Sequence, residues 1–210
     1  DTVRQWNVVY DITKHWKVSL CISSSNASTL LKKCLKSIKE HTTYSNYEIL
    51  VCSNQNSDKE EKIYQQLEKE YNFHYIVLED EFNLALSWNN LARYATGDVL
   101  VYLHDDIEVI EEKWLERMLG QLEQQDIGAV GGKMLYPGGK IIQSIGTAVS
   151  KFGPITLCRQ IGAFCNLQDG VVNNFTGVSN ACFMVTKEKF LQLEGFRIDC
   201  VTRYTELDFF

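Results

Sequence analysis

Two adjacent carboxylates, Asp105 and Asp106, follow His104 directly after the apolar run Val99 to Leu103. A run of that length and composition reads as a buried strand. A strand that ends on carboxylates delivers hard oxygen ligands to the carboxyl edge of a sheet, where open α/β folds bind their ligands. The chemistry open to such a pair is to hold a divalent cation and, with it, a phosphate. The other reading of the same residues is structural, because Asp is common at turn and helix ends, where it caps free backbone N–H groups. The surroundings decide between the two.

The elements that would position this pair can be read from periodicity. Val18 to Ile22 is a short apolar run, and Leu31, Cys34, Leu35 and Ile38 then recur at i, i+3, i+4, i+7 with lysines between them. That predicts a strand followed by an amphipathic helix. Ile49 to Cys52 repeats the strand, Ile63, Tyr64, Leu67 and Tyr71 give a second helical stripe, and His74 to Leu78 reads as a third strand. Trp88, Leu91, Ala92 and Ala95 form the next stripe, closed by Gly97 at a C′ position, and Val99 to Leu103 is the fourth strand. Trp114, Leu115, Met118, Leu119 and Leu122 line one more helix. This alternation predicts a mostly parallel α/β sheet with right-handed crossovers. After Gly131 the pattern breaks into shorter strands and Gly-containing turns, Pro137-Gly138-Gly139 and Gly153-Pro154 among them, which reads as a smaller half of the same domain.

Bulk properties narrow the function classes. A chain of 210 residues can bury a substantial single core without needing two domains. With 27 acidic against 21 basic residues and a formal charge of −6, it offers no basic field for nucleic acid. No apolar stretch approaches the ~20 residues that cross a bilayer, and no signal segment opens the chain. The 7 Cys are scattered, without the paired spacing of a zinc site or a disulfide framework, so a reducing compartment is expected.

Further stretches stand in a telling order around the acidic pair. They are Val18-Ser19-Leu20-Cys21-Ile22 with Asn26, then Thr43 to Val51 with Asn54 and Asp58, then Phe82-Asn83, Asn89 and Ala95-Thr96-Gly97-Asp98. Beyond the pair come Ala129-Val130-Gly131-Gly132 running on to Pro137, Thr176-Gly177, and Glu194-Gly195-Phe196. Taken together, from about Val18 to the last residue, they resemble the family 2 glycosyltransferases. The resemblance implies a GT-A fold, an α/β class with a Rossmann-like, mostly parallel sheet flanked by helices and a smaller mixed region on the acceptor side. Residues 1–16 then form a lead-in segment and residues 17–210 the glycosyltransferase domain. The chain opens on Asp1 rather than Met and stops at Phe210, inside a stretch that in the family starts a helix, so the domain reads as cut at its C-terminus.

What the resemblance implies for function is transfer of a sugar, with inversion, from a nucleotide-sugar donor to a hydroxyl on a polysaccharide, lipid-linked glycan or glycoprotein. UDP- or dTDP-sugars are the favoured donors. Such a displacement builds negative charge on the leaving diphosphate, which a divalent metal held by carboxylates can stabilise, and Mn²⁺ or Mg²⁺ is the implied cofactor. The family's metal-binding position falls on Asp106, and the carboxylate that approaches the donor ribose falls on Asp105. The first position of the motif, usually Asp or Asn, is His104 here; it can ligate Mn²⁺ or hydrogen-bond a ribose or phosphate, or serve as a satisfied structural histidine. Tyr204-Thr205-Glu206-Leu207-Asp208 resembles the terminal acidic motif, with Glu206 in the place of the catalytic base and Thr205 where the family has Glu. The other reading is that Thr205, Glu206 and Asp208 only cap and charge the N-terminus of a helix.

Ser23, Asn26, Ser53, Asn54 and Asn89 complete the set expected to contact the donor. Ser23 stands where the family commonly has Pro, and Ser53 where it has an Asp that reads the nucleobase. A serine can still accept from a base N–H, without charge assistance. The asparagines have ordinary turn or helix capping as their alternative. Ser53, His104 and Thr205 keep a rival in play, a non-catalytic nucleotide-sugar or glycan binding module on the same fold. A nucleotidyltransferase ranks last, since Ser23-Ser24-Ser25-Asn26 has neither the glycine nor the basic residue of a phosphate loop. The expected setting is cytoplasmic, with room for peripheral association of a longer protein with the inner face of the membrane.

Overall fold

Strands rich in Val, Leu and Ile alternate with amphipathic helices, and each pair stacks as its periodicity demands. The computed structural model describes residues 8–54, 56–139, 141–157, 172–199 and 209. The first half runs β1 (Val18–Ser23), α1 (Ser28–His41), β2 (Tyr47–Asn54), α2 (Asp58–Tyr71), β3 (His74–Leu78), α3 (Leu84–Tyr94), β4 (Val99–His104) and α4 (Trp114–Leu122). The second half runs β5 (Val130–Gly131), β6 (Met134–Leu135), β7 (Ile142–Ser144), β8 (Gly146–Ser150), β9 (Gly153–Leu157), β10 (Cys182–Thr186) and α5 (Lys187–Gln192).

The main sheet has the order β3-β2-β1-β4-β10-β5, and β6-β7 and β8-β9 form two small antiparallel pairs. β1 pairs in parallel with both β2 and β4, while β10 lies antiparallel to β4. The chain therefore winds outward from β1 in one direction to β3 and then returns to the other side of β1 to lay down β4. That reversal opens a crevice at the carboxyl ends of β1 and β4, the place where open α/β sheets take ligands.

The central strands β1, β4 and β10 are buried on both faces, as the strands of parallel sheets are. Val18, Leu20, Ile22, Val99, Val101 and Leu103 pack under α1, α2 and α4. Cys21, Leu50, Leu100, Tyr102 and Phe183 pack under α3 and α5 with Phe196 and Phe209. Trp88 of α3 sits at the centre of this second layer, 5.2 Å from both the Tyr102 and Phe196 rings. Four of the cysteines, Cys21, Cys34, Cys52 and Cys182, are free thiols inside these layers.

One expectation is corrected here. Gly97 does not close α3 at C′: the helix ends at Tyr94 with Ala95 as its cap, and Gly97 does not have a positive φ. Glycine is required there by close approach instead, because a Cβ would lie 2.6–2.8 Å from Ser19 Oγ, Lys17 O and Ser19 N. The strands after α4 are two to five residues long, as expected, and one of them, Cys182–Thr186, joins the main sheet beside β4.

At the amino edge, Glu48 ties three segments together. Its carboxylate accepts from Ser19 Oγ (2.6 Å), Thr96 N (2.7 Å) and Thr96 Oγ1 (2.8 Å). Residues ahead of β1 are anchored by Glu123, just past α4, which accepts from Thr13 N, Thr13 Oγ1, Lys14 N and Trp16 Nε1 at 2.7–3.0 Å. Among the described residues, no helix is long and apolar enough to cross a membrane.

Candidate functional site

At the carboxyl edge, register places Ser23 of β1 beside Cys52 of β2 and beside His104 of β4. The loops that leave these strands are stitched to one another. Asn54 N donates to Ser25 Oγ (2.8 Å), Asn26 N donates to Asn56 Oδ1 (2.8 Å), and Ser57 N donates to Asn26 Oδ1 (3.0 Å). Asn26 holds φ 52°, a left-handed conformation that asparagine tolerates better than most residues. The β1–α1 and β2–α2 loops thus present one fixed rim.

The acidic pair occupies a turn beside that rim, with Ile107 N donating back to His104 O at 3.4 Å. Asp105 is half-buried and its Oδ2 accepts from Ser24 Oγ at 2.6 Å. Burial pushes its carboxyl above the usual value; the Ser24 bond opposes this and the Asp106 charge adds to it. Asp106 is exposed and accepts no hydrogen bond among the described residues. His104 is mostly buried, its ring 6.0 Å from that of Trp88, and its Nε2 is buried without a partner among the described residues. Burial lowers its pKa against the pull of Asp106 and Asp105, which favours the neutral imidazole.

These residues fit a divalent cation of one kind. Among the described residues, no three His, Cys, Asp or Glu side chains gather into a cluster that could hold a metal ion. What the turn offers is one exposed, uncommitted carboxylate, a second tied through a single oxygen, and a neutral imidazole. That suits a cation carried by one or two protein carboxylates together with substrate phosphates and water.

The other expected contacts are dispersed. Ser53 is fully buried and bonded to Tyr75 OH at 2.6 Å. Tyr75 OH donates to Glu61 Oε2 at 2.7 Å, so the Ser53 proton goes to the Tyr75 oxygen, and Asn56 Nδ2 donates to both hydroxyls. Burial, and after it the Glu61 carboxylate, push the Tyr75 phenol well up. Asn54 gives its amide to Asp80 O (3.0 Å) and accepts from Ser87 Oγ (3.1 Å). Asn89 spends both polar atoms on Phe196, donating to its carbonyl at 2.8 Å and accepting from its N–H at 2.9 Å, and no hydrogen bond joins it to the rim. Ser23 is buried at the end of β1. Glu206, with Thr205 and Asp208, lies outside the described residues.

The structure adds Ser24, Asn56, Glu61, Tyr64 and Tyr75 to the polar groups at this edge. One signal for Tyr64 stands in the sequence: a tyrosine on the apolar stripe of a helix carries a hydroxyl that must find a partner when buried. Asn56 and Glu61 give no such sign, because the Tyr75 hydroxyl that they share arrives from β3.

Comparison with known proteins adds the following. Residues 19–185 match the sequence family described as Glycosyl transferase family 2. The O-antigen biosynthesis protein RfbC of Myxococcus xanthus is 29% identical over 204 residues, which cover 91% of this chain and 15% of that protein. The uncharacterized protein y4gI of Sinorhizobium fredii (strain NBRC 101917 / NGR234) is 28% identical over 187 residues, 85% of this chain and 20% of its own length. The chain therefore spans a fifth or less of the curated relatives it matches. Among solved structures, the mannosyltransferase PcManGT from Pyrobaculum calidifontis, in complex with GDP-Man and Mn²⁺, superposes with a TM-score of 0.65 at 16% identity, over 93% of this chain and 52% of that one. TarS 1-349 of S. aureus gives 0.64 at 13% identity, over 92% and 54%. At these identities the likeness is one of fold.

Proposed function

Because the chain belongs to glycosyl transferase family 2 and has its GT-A fold, we propose that it transfers a sugar from a nucleotide-sugar donor to a hydroxyl of a growing polysaccharide or related glycan. The observation that carries this reading is the meeting of the β1 and β4 ends: Ser24 Oγ reaches Asp105 Oδ2 at 2.6 Å, while Asp106 beside it stays exposed and uncommitted. One carboxylate held in place and one left open are what a diphosphate carried by a cation needs. Asp106 would hold the divalent cation, and His104 is a second ligand candidate through its neutral ring. When bound, the cation supplies charge neutralisation to the leaving diphosphate. That PcManGT is in complex with GDP-Man and Mn²⁺, and a second TarS structure with UDP, supports this part.

Within this reading, Asp105 receives a hydroxyl of the donor ribose, and the rim of Asn26, Asn54 and Asn56 borders the nucleotide. Glu206 accepts the proton of the acceptor hydroxyl as it attacks the anomeric carbon from the face opposite the leaving group, which inverts the configuration. Support for Glu206 and for inversion comes from the family resemblance. A cytoplasmic setting belongs to the same proposal and is supported by the four buried free thiols.

Titration of UDP, dTDP and GDP with and without Mn²⁺ tests the donor half. Asp106→Ala is expected to abolish the Mn²⁺ dependence of nucleotide affinity, and unchanged dependence would remove the assignment. For the transfer half, Glu206→Gln should leave nucleotide binding intact and lower transfer by ~100-fold or more, the scale of a lost general base. A protein that binds donor and never transfers across a broad acceptor panel would point to the binding-module reading.

A further inference from the structure

Asp105 is tied to a hydrogen-bond chain whose direction can be worked out. Tyr64 OH accepts from the Ala27 N–H at 3.2 Å and lies 2.6 Å from Ser24 Oγ. Ser24 donates its one proton to Asp105 Oδ2 at 2.6 Å, so in the Tyr64–Ser24 bond the phenol is the donor. The sequence of donors is therefore Ala27 N–H, Tyr64 O–H, Ser24 O–H, ending on one oxygen of Asp105. Every step joins a different element: α2 carries Tyr64, the β1–α1 loop carries Ser24, and the turn after β4 carries Asp105.

The two hydroxyls are deeply placed. Tyr64 is 0% and Ser24 1% exposed, so neither competes with water for its partner. On the apolar stripe of α2, a phenylalanine would fill the same space without a buried hydroxyl to satisfy. The hydroxyl instead fixes the Ser24 rotamer, and Ser24 fixes which oxygen of Asp105 faces inward. Among the described residues Oδ1 accepts no hydrogen bond from another residue, which leaves that atom for a ligand at the β1–β4 crevice.

We propose, resting on the reading that Asp105 binds the donor, that Tyr64 and Ser24 are positioning residues which hold the Asp105 carboxylate in its donor-binding orientation. A carboxylate already locked loses less side-chain freedom when the nucleotide arrives, so the pair acts on affinity by lowering the cost of ordering.

Calorimetric titration with UDP, GDP and dTDP, each with and without Mn²⁺, reads this on the wild type, Tyr64→Phe, Ser24→Ala, Asp105→Ala and the Tyr64→Phe/Asp105→Ala double variant. With the nucleotide that binds best, Tyr64→Phe and Ser24→Ala should each weaken binding by about tenfold, the scale of one hydrogen bond to a charged group. In the Asp105→Ala background, Tyr64→Phe should cost nothing further, which a merely structural role would not produce. Circular dichroism and thermal unfolding check that each variant is folded; if Tyr64→Phe fails that check, Ser24→Ala alone and with Asp105→Ala carries the same cycle. Wild-type affinity in Tyr64→Phe and Ser24→Ala, or an equal loss in both backgrounds, overturns the proposal. Wild-type affinity in Asp105→Ala, or no nucleotide binding by the wild type, overturns the donor-binding reading beneath it.

Discussion

Asp105 is a residue whose service to a ligand conflicts with its service to the fold. Its folded pKa is raised, chiefly by burial, above the ~3.9 of an unfolded chain. Between those two values the folded state binds the extra proton, so stability falls as pH rises through the window and stays lower above it. Replacing the ionisable group should remove this loss. Asp105→Asn is expected to raise the unfolding midpoint at pH 7, with the advantage over wild type fading below about pH 4, as thermal melts across a pH series would show. A variant no more stable at pH 7 than wild type would mean that the Ser24 bond outweighs burial. Ser53 makes the contrasting case: its hydroxyl is committed to Tyr75 inside the protein. Its position at the carboxyl end of the second strand was visible in the sequence, but the commitment was not, because Tyr75 arrives from a different strand.

Among the elements, β1 owes its position to a carboxylate at the edge opposite the site. Glu48 of β2 accepts from Ser19 of β1 and from Thr96 ahead of β4, so one side chain fixes three segments whose other ends form the crevice. Burial alone would raise its pKa, but the hydrogen bonds from Ser19 and Thr96, with the Lys17 charge, hold it below the ordinary value. A depressed folded pKa means that the stabilisation is present above the unfolded value of ~4.3 and is lost as pH falls through the folded one. Glu48→Gln is therefore expected to cost about 1–3 kcal/mol in urea unfolding at pH 7, and the difference should shrink below about pH 4. The strands and helices of this half were legible from period alone, with boundaries off by a residue or two, because both faces of a parallel sheet need unbroken apolar runs. Gly97 was legible as a special position but not for its reason, since the backbone it must clear, at Lys17 and Ser19, is remote in sequence. The same limit applies to the site. The acidic turn announced itself, whereas the Ser24–Tyr64 link depends on a helix facing a loop.

At the scale of the whole molecule, β10 is the piece that sequence patterning left unplaced. Val99–His104 is flanked on one side by β1, and among the described strands its other side is covered by Cys182–Thr186. A ribosome adding ~5–20 residues per second leaves that flank uncovered for several seconds after β4 has emerged. During that interval the nascent chain displays a row of unpaired backbone groups on a strand made of Val99, Leu100, Val101, Tyr102 and Leu103, which is the kind of surface on which chains join edge to edge. A fragment ending at Gln125 should accordingly form large assemblies in light scattering under conditions where residues 1–210 stay dispersed. Lys introduced at Leu103 in that fragment should reduce the scattering; if it does not, stickiness arises elsewhere than at this edge. The strand whose carboxyl end bears the acidic turn thus waits for one of its two neighbours while the protein is being made, until β10 reaches it.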